Sequence, residues 1–116
     1  MASFLDELCP FDTSGWECPH FIGHWIPSGP GIYVISAVRT SDGIKAFALY
    51  VGIAKNLKRR LDNHEIMRGL SVTLREPNVF PQVFFQEKEG DLRKEELNLI
   101  HQLDPPFNIV GRRGRR

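Results

Sequence analysis

Two β-rich runs joined by a turn restrict the fold more than any other feature of this chain. Gly31-Ile32-Tyr33-Val34-Ile35-Ser36-Ala37-Val38 is dense in β-branched and aromatic residues and reads as a strand. Thr40-Ser41-Asp42-Gly43 follows, and Asp-Gly is among the pairs best suited to a tight hairpin because it accepts positive φ. The second run spans Lys45 to Gly52. Strict alternation puts Phe47, Leu49 and Val51 on one side of it and Ala46, Ala48 and Tyr50 on the other. An antiparallel hairpin is predicted, and the other elements must be arranged around it.

Lys55 to about Met67 has helical spacing, with Leu57, Leu61 and His64 on one face and Gly69 as a stop. Val79 to Glu87 reads as a third strand, and Pro81 confines its start to an edge or a bulge. Asp91 is a good N-cap for a second helix, which Asp104-Pro105-Pro106 ends after Leu103. The order β-β-α-β-α predicts an α+β domain, a small three-stranded antiparallel sheet flanked by helices.

The first thirty residues differ from the rest. They hold both cysteines, both tryptophans, His20, His24 and four prolines, and sustain neither a helical nor a strand period. We read residues 1–29 as an irregular arm anchored by its aromatic rings, 30–110 as the domain, and 111–116 as a basic flexible tail. Cys9, Cys18, His20 and His24 are potential soft ligands, but their spacing fits no defensible zinc pattern. No apolar run approaches the roughly 20 residues that span a bilayer. The opening residues lack the basic start of a secretory signal. A cytoplasmic protein with reduced thiols and no membrane partner is expected.

Net charge is only +1, but it is unevenly distributed. Residues 1–54 carry two basic and five acidic side chains, whereas 55–116 carry thirteen and nine. Lys55, Lys58, Arg59 and Arg60 form one cluster, and Arg112-Arg113-Gly114-Arg115-Arg116 another. Such clusters attract polyanions, although a charge run is more often a solvated face.

On the second helix Leu92, Leu99, Ile100 and Leu103 define the apolar stripe. Glu96 lies near its centre and Glu95 at its edge. A carboxylate in that position is costly unless a partner or a metal ion meets it. The same construction on the first helix puts Arg59 opposite the apolar face and Arg60 beside it.

Taken in order, these residues resemble one family. Gly31-Ile32-Tyr33 and Tyr50-Val51-Gly52 resemble its two naming motifs. Ala54 to Leu61 is similar to its first helix, Glu96-Leu97-Asn98-Leu99-Ile100 to its glutamate-bearing helix, and Pro105-Pro106-Phe107-Asn108 to its closing signature. The family is the GIY-YIG nuclease superfamily, which includes the N-terminal nuclease of the bacterial excision-repair incision protein and phage homing endonucleases. The resemblance covers residues 30 to 109. It implies metal-assisted hydrolysis of DNA phosphodiesters, leaving a 5′-phosphate.

What the resemblance implies for the residues is specific. Its spacing selects Glu96 as ligand of Mg²⁺ or Mn²⁺, Arg60 as the catalytic arginine, and Asn108 as a brace of the site. One tyrosine, Tyr33 by preference, is the general base or positions the water, and Tyr50 holds the nucleophile site; spacing does not decide between them. His64 supports the tyrosines or relays a proton; a satisfied core histidine is the alternative. Lys55, Asn56, Lys58, Arg59, Arg112 and Arg113 are expected to contact DNA.

Two departures stand out: an extended hairpin loop at Arg39–Ile44, and Ile53 where many members have a basic residue. No separate DNA-recognition domain is expected in these residues, so a partner protein or a homodimer would supply targeting. A non-catalytic nucleic-acid-binding module on the same fold is the alternative function, and an interaction domain built on the arm is a third.

Overall fold

The hairpin's first strand is buried on both faces, and this decides the layering. In the computed structural model, which describes residues 4–18, 26–41, 43–62 and 77–108, β1 is Pro10–Phe11, β2 Gly31–Arg39, β3 Lys45–Ala54 and β4 Val79–Glu87. The helices are α1, Leu57–Asp62, and α2, Leu92–Leu103. The strands form one antiparallel sheet in the order β1-β3-β2-β4. The fold is therefore α+β. The three expected strands are present, and the arm adds a short fourth. The two-residue β1 carries no periodic signal for the sequence to reveal.

Tyr33, Ile35 and Ala37 of β2 join Phe47, Leu49, Val83 and Phe85 in one apolar cluster, which Leu57 of α1 and Leu5 complete. Ile32, Val34 and Val38 join Ala46, Ala48 and Val51 in a second cluster on the opposite face, closed by Ile100 and Leu103 of α2 and by Phe11. A central strand covered on both sides reads as a continuous apolar run. That is why Gly31 to Val38 lacks alternation.

Strict alternation fails in β3. Ile35 pairs with Tyr50 and Ser36 with Ala48, so Leu49 is an extra residue, a β-bulge. From there onward the facing is reversed. Tyr50 packs with Leu49 and Phe47 against the α1-side cluster, and Val51 joins Ala46 and Ala48 on the α2 side. The expected sorting of Val51 and Tyr50 is thus corrected, because one inserted residue turns every later side chain to the other face.

The arm guards both edges of the sheet. At one edge β1 pairs with Phe47 and Ala46, and Ala48 N–H donates to the Cys9 carbonyl at 3.3 Å. At the other, Glu17 and Phe85 exchange backbone hydrogen bonds of 2.9 and 2.8 Å. Between them Phe11 packs edge-on against Trp16 and Phe84, with ring centroids 5.3 and 5.6 Å apart. Capping edge N–H and C=O groups in this way removes a template for aggregation. Pro81 lies in β4, an edge strand of the sheet, as its missing N–H requires. At the hairpin tip Arg39 lies over the Phe47 ring at 5.1 Å and pairs with Asp6 at 3.2 Å.

Both helices have accountable starts. Gly29 and Pro27 carbonyls accept from Leu57 and Lys58 N–H, and Asn56 Oδ1 accepts from Arg59 N–H at 3.0 Å. Asp91 Oδ1 accepts from Lys94 N–H at 3.1 Å, and Asp104 ends α2 in the left-handed conformation. Among the described residues no helix is long and apolar enough to cross a membrane. Cys9 and Cys18 are not joined in a disulfide, and His20 and His24 lie outside the described residues.

Because Phe11 pins the arm to the sheet, Phe11→Ala is expected to destabilise the whole domain by about 3 kcal/mol. Urea unfolding followed by tryptophan fluorescence and by far-UV circular dichroism checks this. A loss below about 1 kcal/mol would show that the arm is not part of the cooperative core.

Candidate active site

The glycines of the two motifs have steric reasons to be glycines. Tyr33 pairs with Gly52 across the hairpin. A Cβ on Gly52 would lie 2.5 Å from Cζ and Oη of Tyr33, so the tyrosine ring lies across the space a side chain would fill. A Cβ on Gly31 would strike the Gln86 carbonyl oxygen and Leu57 Cδ1, so β4 and α1 approach only because Gly31 has none.

Tyr33 is wholly buried, and its hydroxyl accepts a hydrogen bond of 3.1 Å from Arg60 Nε. Burial pushes the Tyr33 phenol up to about 12, against the hydrogen bond from Arg60, which favours the phenolate. The same bond, with the charge attraction behind it, holds the Arg60 guanidinium above its ordinary range. The Tyr33 and Tyr50 rings lie 6.1 Å apart, tilted by 35°. The bulge makes this pair possible, since without it Tyr50 would face α2.

Tyr50 is half-buried and lines a pocket of about 280 Å³ with Arg93, Glu96, Leu97, Ile100, Phe107 and Asn108. The pocket lies beyond the short β1, where the outer edge of β3 would otherwise be bare. Asn108 covers that edge as a strand would. Its Oδ1 accepts from Val51 N–H and its Nδ2 donates to the Val51 carbonyl, both at 2.8 Å. Phe107 N–H donates to the carbonyl of the bulged Leu49 at 2.9 Å. Asn108 is only 7% exposed, so each of these polar groups needs its partner.

The two adjacent glutamates have different surroundings. Glu95 is 40% exposed at its side chain and is engaged by Lys88. The Glu96 side chain is 13% exposed and lies 3.5 Å from Arg93 Nη1. Burial raises the pKa of Glu96, and the charge on Arg93 opposes the rise. One carboxylate lines this pocket, and a hard divalent cation can be held by one or two carboxylates completed by water and phosphate.

Ile53, Ala54, Lys55, Asn56, Arg59 and Arg60 line another concavity, of about 460 Å³. Asn56 Oδ1 is engaged as the helix cap, and Lys58 pairs with Asp62 at 3.5 Å. The structure thus groups Tyr33, Tyr50 and Arg60, groups Tyr50, Glu96 and Asn108, and places Lys55 and Arg59 beside them. His64, Arg112 and Arg113 lie outside the described residues. Arg93 escaped the sequence reading. The available signal was a cation in the first turn of a helix, where the macrodipole disfavours it.

With this geometry, the comparison with known proteins is informative. The chain is similar to part of UvrABC system protein C. The protein of that name from Brucella abortus biovar 1 is 33% identical over 109 residues, 87% of this chain and 16% of the relative. That from Rhodospirillum rubrum is 37% identical over 88 residues, 73% of this chain and 13% of the relative. That from the Wolbachia of Brugia malayi is 40% identical over 76 residues, 63% of this chain and 12% of the relative. The chain therefore spans less than a fifth of the length of these relatives. No protein-family model and no solved structure matches it.

The surroundings of Glu96 have a consequence for stability. Folding raises its pKa, so the folded protein keeps the proton at pH values where the unfolded chain has released it. Stability contributed by the protonated form is present at low pH and is lost as pH rises through the folded pKa. Glu96→Gln removes the loss. The variant is expected to melt at a higher temperature than the parent at pH 7 in chelator, the difference closing as pH falls below the ordinary carboxylate range. Thermal unfolding over a pH series measures it; a lower melting temperature at pH 7 would overturn this account of Glu96.

Proposed function

We propose that the chain is a divalent-metal-dependent endonuclease that hydrolyses DNA phosphodiester bonds. The observation that carries the reading is the meeting of Tyr50, Glu96 and Asn108 in one pocket, next to the Tyr33–Arg60 pair. The motif order resembling GIY-YIG nucleases and the similarity to UvrABC system protein C support it.

Hydrolysis needs a placed water, an acceptor for its proton, and positive charge on the phosphate. Glu96 would hold Mg²⁺ or Mn²⁺, and a bound ion supplies Lewis-acid charge to the phosphate and the leaving oxygen. Arg60 meets a non-bridging phosphate oxygen, with its guanidinium plane fixed by the bond from Nε to Tyr33. The tyrosines divide the labour by burial. Tyr33 is sealed from solvent and keeps its proton at neutral pH, so its part is to position Arg60. Tyr50 lines the pocket; with Tyr33 sealed, it would orient the attacking water and accept its proton, the general-base part that the resemblance gives to one of the two tyrosines. Asn108 fixes the backbone of Val51 and so the placement of Tyr50. Lys55 and Arg59 contact the flanking DNA backbone.

Purified protein is expected to nick supercoiled plasmid with Mg²⁺ or Mn²⁺ and to stop on chelation. Glu96→Gln should abolish nicking. Arg60→Ala should lower the rate about 10²- to 10³-fold, as loss of a preorganised transition-state donor does, while Arg59→Ala costs less than tenfold. DNA binding without cleavage by folded wild-type protein would replace the nuclease reading with that of a binding module. Equal losses at Arg59 and Arg60 would refute the assignment on α1.

A further inference from the structure

Among the described residues one cation lines the Glu96 pocket, and the chemistry above gives it no part. Arg93 lies one turn before Glu96 on α2, with Nη1 3.5 Å from the carboxylate. That separation exceeds a well-formed N–H···O bond. The Arg93 side chain is 65% exposed, whereas that of Glu96 is 13% exposed. A single long contact from a solvated guanidinium therefore meets a largely sequestered carboxylate. Pairs of this kind are weak and easily exchanged.

Asp91 is the N-cap, so Arg93 falls in the first turn, where the helix dipole disfavours a cation. Lys94 shares that turn, but only Arg93 lines the Glu96 pocket and contacts the carboxylate. We propose that Arg93 is an exchangeable counter-charge. It neutralises Glu96 in the ion-free protein, yields that carboxylate to an entering divalent cation, and then contacts a phosphate of the bound DNA. The proposal rests on Glu96 being the metal ligand.

The physical argument is a competition. A divalent cation in direct contact with the carboxylate outbids a monovalent guanidinium at 3.5 Å, because it brings twice the charge to a shorter distance. Displaced, Arg93 would be an unpaired planar cation at the rim of a pocket that a phosphate must enter, and its fork of donors matches phosphate oxygens. The exchange makes the pocket more positive, since a divalent cation joins one carboxylate and one guanidinium. The carboxylate is never left uncompensated, and metal entry frees a cation for the polyanion.

Arg93→Met keeps much of the side-chain length and removes the charge. Because the residue is exposed, the fold should be retained, which thermal unfolding verifies. Calorimetric titration of Mn²⁺ into the full chain without DNA should show Arg93→Met binding roughly two- to fivefold tighter than the parent, the range that loss of a weak competing pair allows. Fluorescence titration of a duplex oligonucleotide in Ca²⁺ should show binding about fivefold weaker, with the salt-dependence slope reduced by about one. Unchanged or weaker Mn²⁺ binding by Arg93→Met overturns the counter-charge role, and unchanged duplex binding overturns the phosphate contact. Glu96→Gln separates the two levels of failure. If it abolishes the Mn²⁺ heat while Arg93→Met matches the parent, this proposal fails alone; if it leaves the heat intact, the metal assignment fails and takes the proposal with it.

Discussion

The bulge at Leu49 is the constraint from which the arrangement of the site follows. A regular β3 would point Tyr50 at α2, on the opposite side of the sheet from Tyr33. Inserting one residue between the pairs Ile35–Tyr50 and Ser36–Ala48 turns Tyr50 onto the face of Tyr33 and sends Val51 into the α2-side core. Gly52 then falls opposite Tyr33 on that same face and leaves room for its ring. A bulge disrupts the ladder locally, and here the Leu49 carbonyl is recovered by Phe107 N–H. The closing Pro-Pro-Phe-Asn segment is therefore tied to the bulge, and through it to the direction of Tyr50.

The same economy appears along the whole outer edge of β3. β1 covers Ala46 and Phe47, the Cys9 carbonyl takes Ala48 N–H, Phe107 takes Leu49, and the Asn108 amide takes Val51. A longer β1 would complete the ladder but occupy the place where α2 brings Glu96 toward Tyr50. A bare edge would leave buried backbone groups without partners, at about 1–3 kcal/mol each. Side-chain and loop groups satisfy those groups while leaving space beside Tyr50 for a pocket.

Much of this was legible in the chain. The β-branched runs, Asp-Gly and the Asp91 cap specify β2, β3, β4 and α2 because each carries a local signal. Helical periodicity also separates Glu96 from Glu95, whose side chains are 13% and 40% exposed in the structure. The bulge was not legible, because alternation in Phe47 to Val51 looks regular until pairing with β2 imposes the extra residue. Nor was β1, since two residues have no period and their strand exists only because the β3 edge is there to bind. Arg93 was missed for another reason. It breaks a helix-end preference worth only a few tenths of a kcal/mol to about 1, a signal too small to notice until the pocket shows what stands beside it.

Burial also settles how two tyrosines of similar sequence context come to differ. Tyr33 is closed off by the sheet, Gly52 and α1, so ionising it means placing charge where water cannot follow; its phenol stays neutral and accepts from Arg60. A neutral buried acceptor is a precise way to hold a guanidinium, because it orients Nε without cancelling the positive charge. A carboxylate in its place would bind Arg60 more tightly and neutralise it. Tyr50, set beside Tyr33 by one bulged residue, is half-buried and lines the pocket with Glu96. The difference between a sealed phenol that accepts from Arg60 and a half-buried one that lines the pocket thus comes from strand register, and the chemistry of the phenol is the same in both.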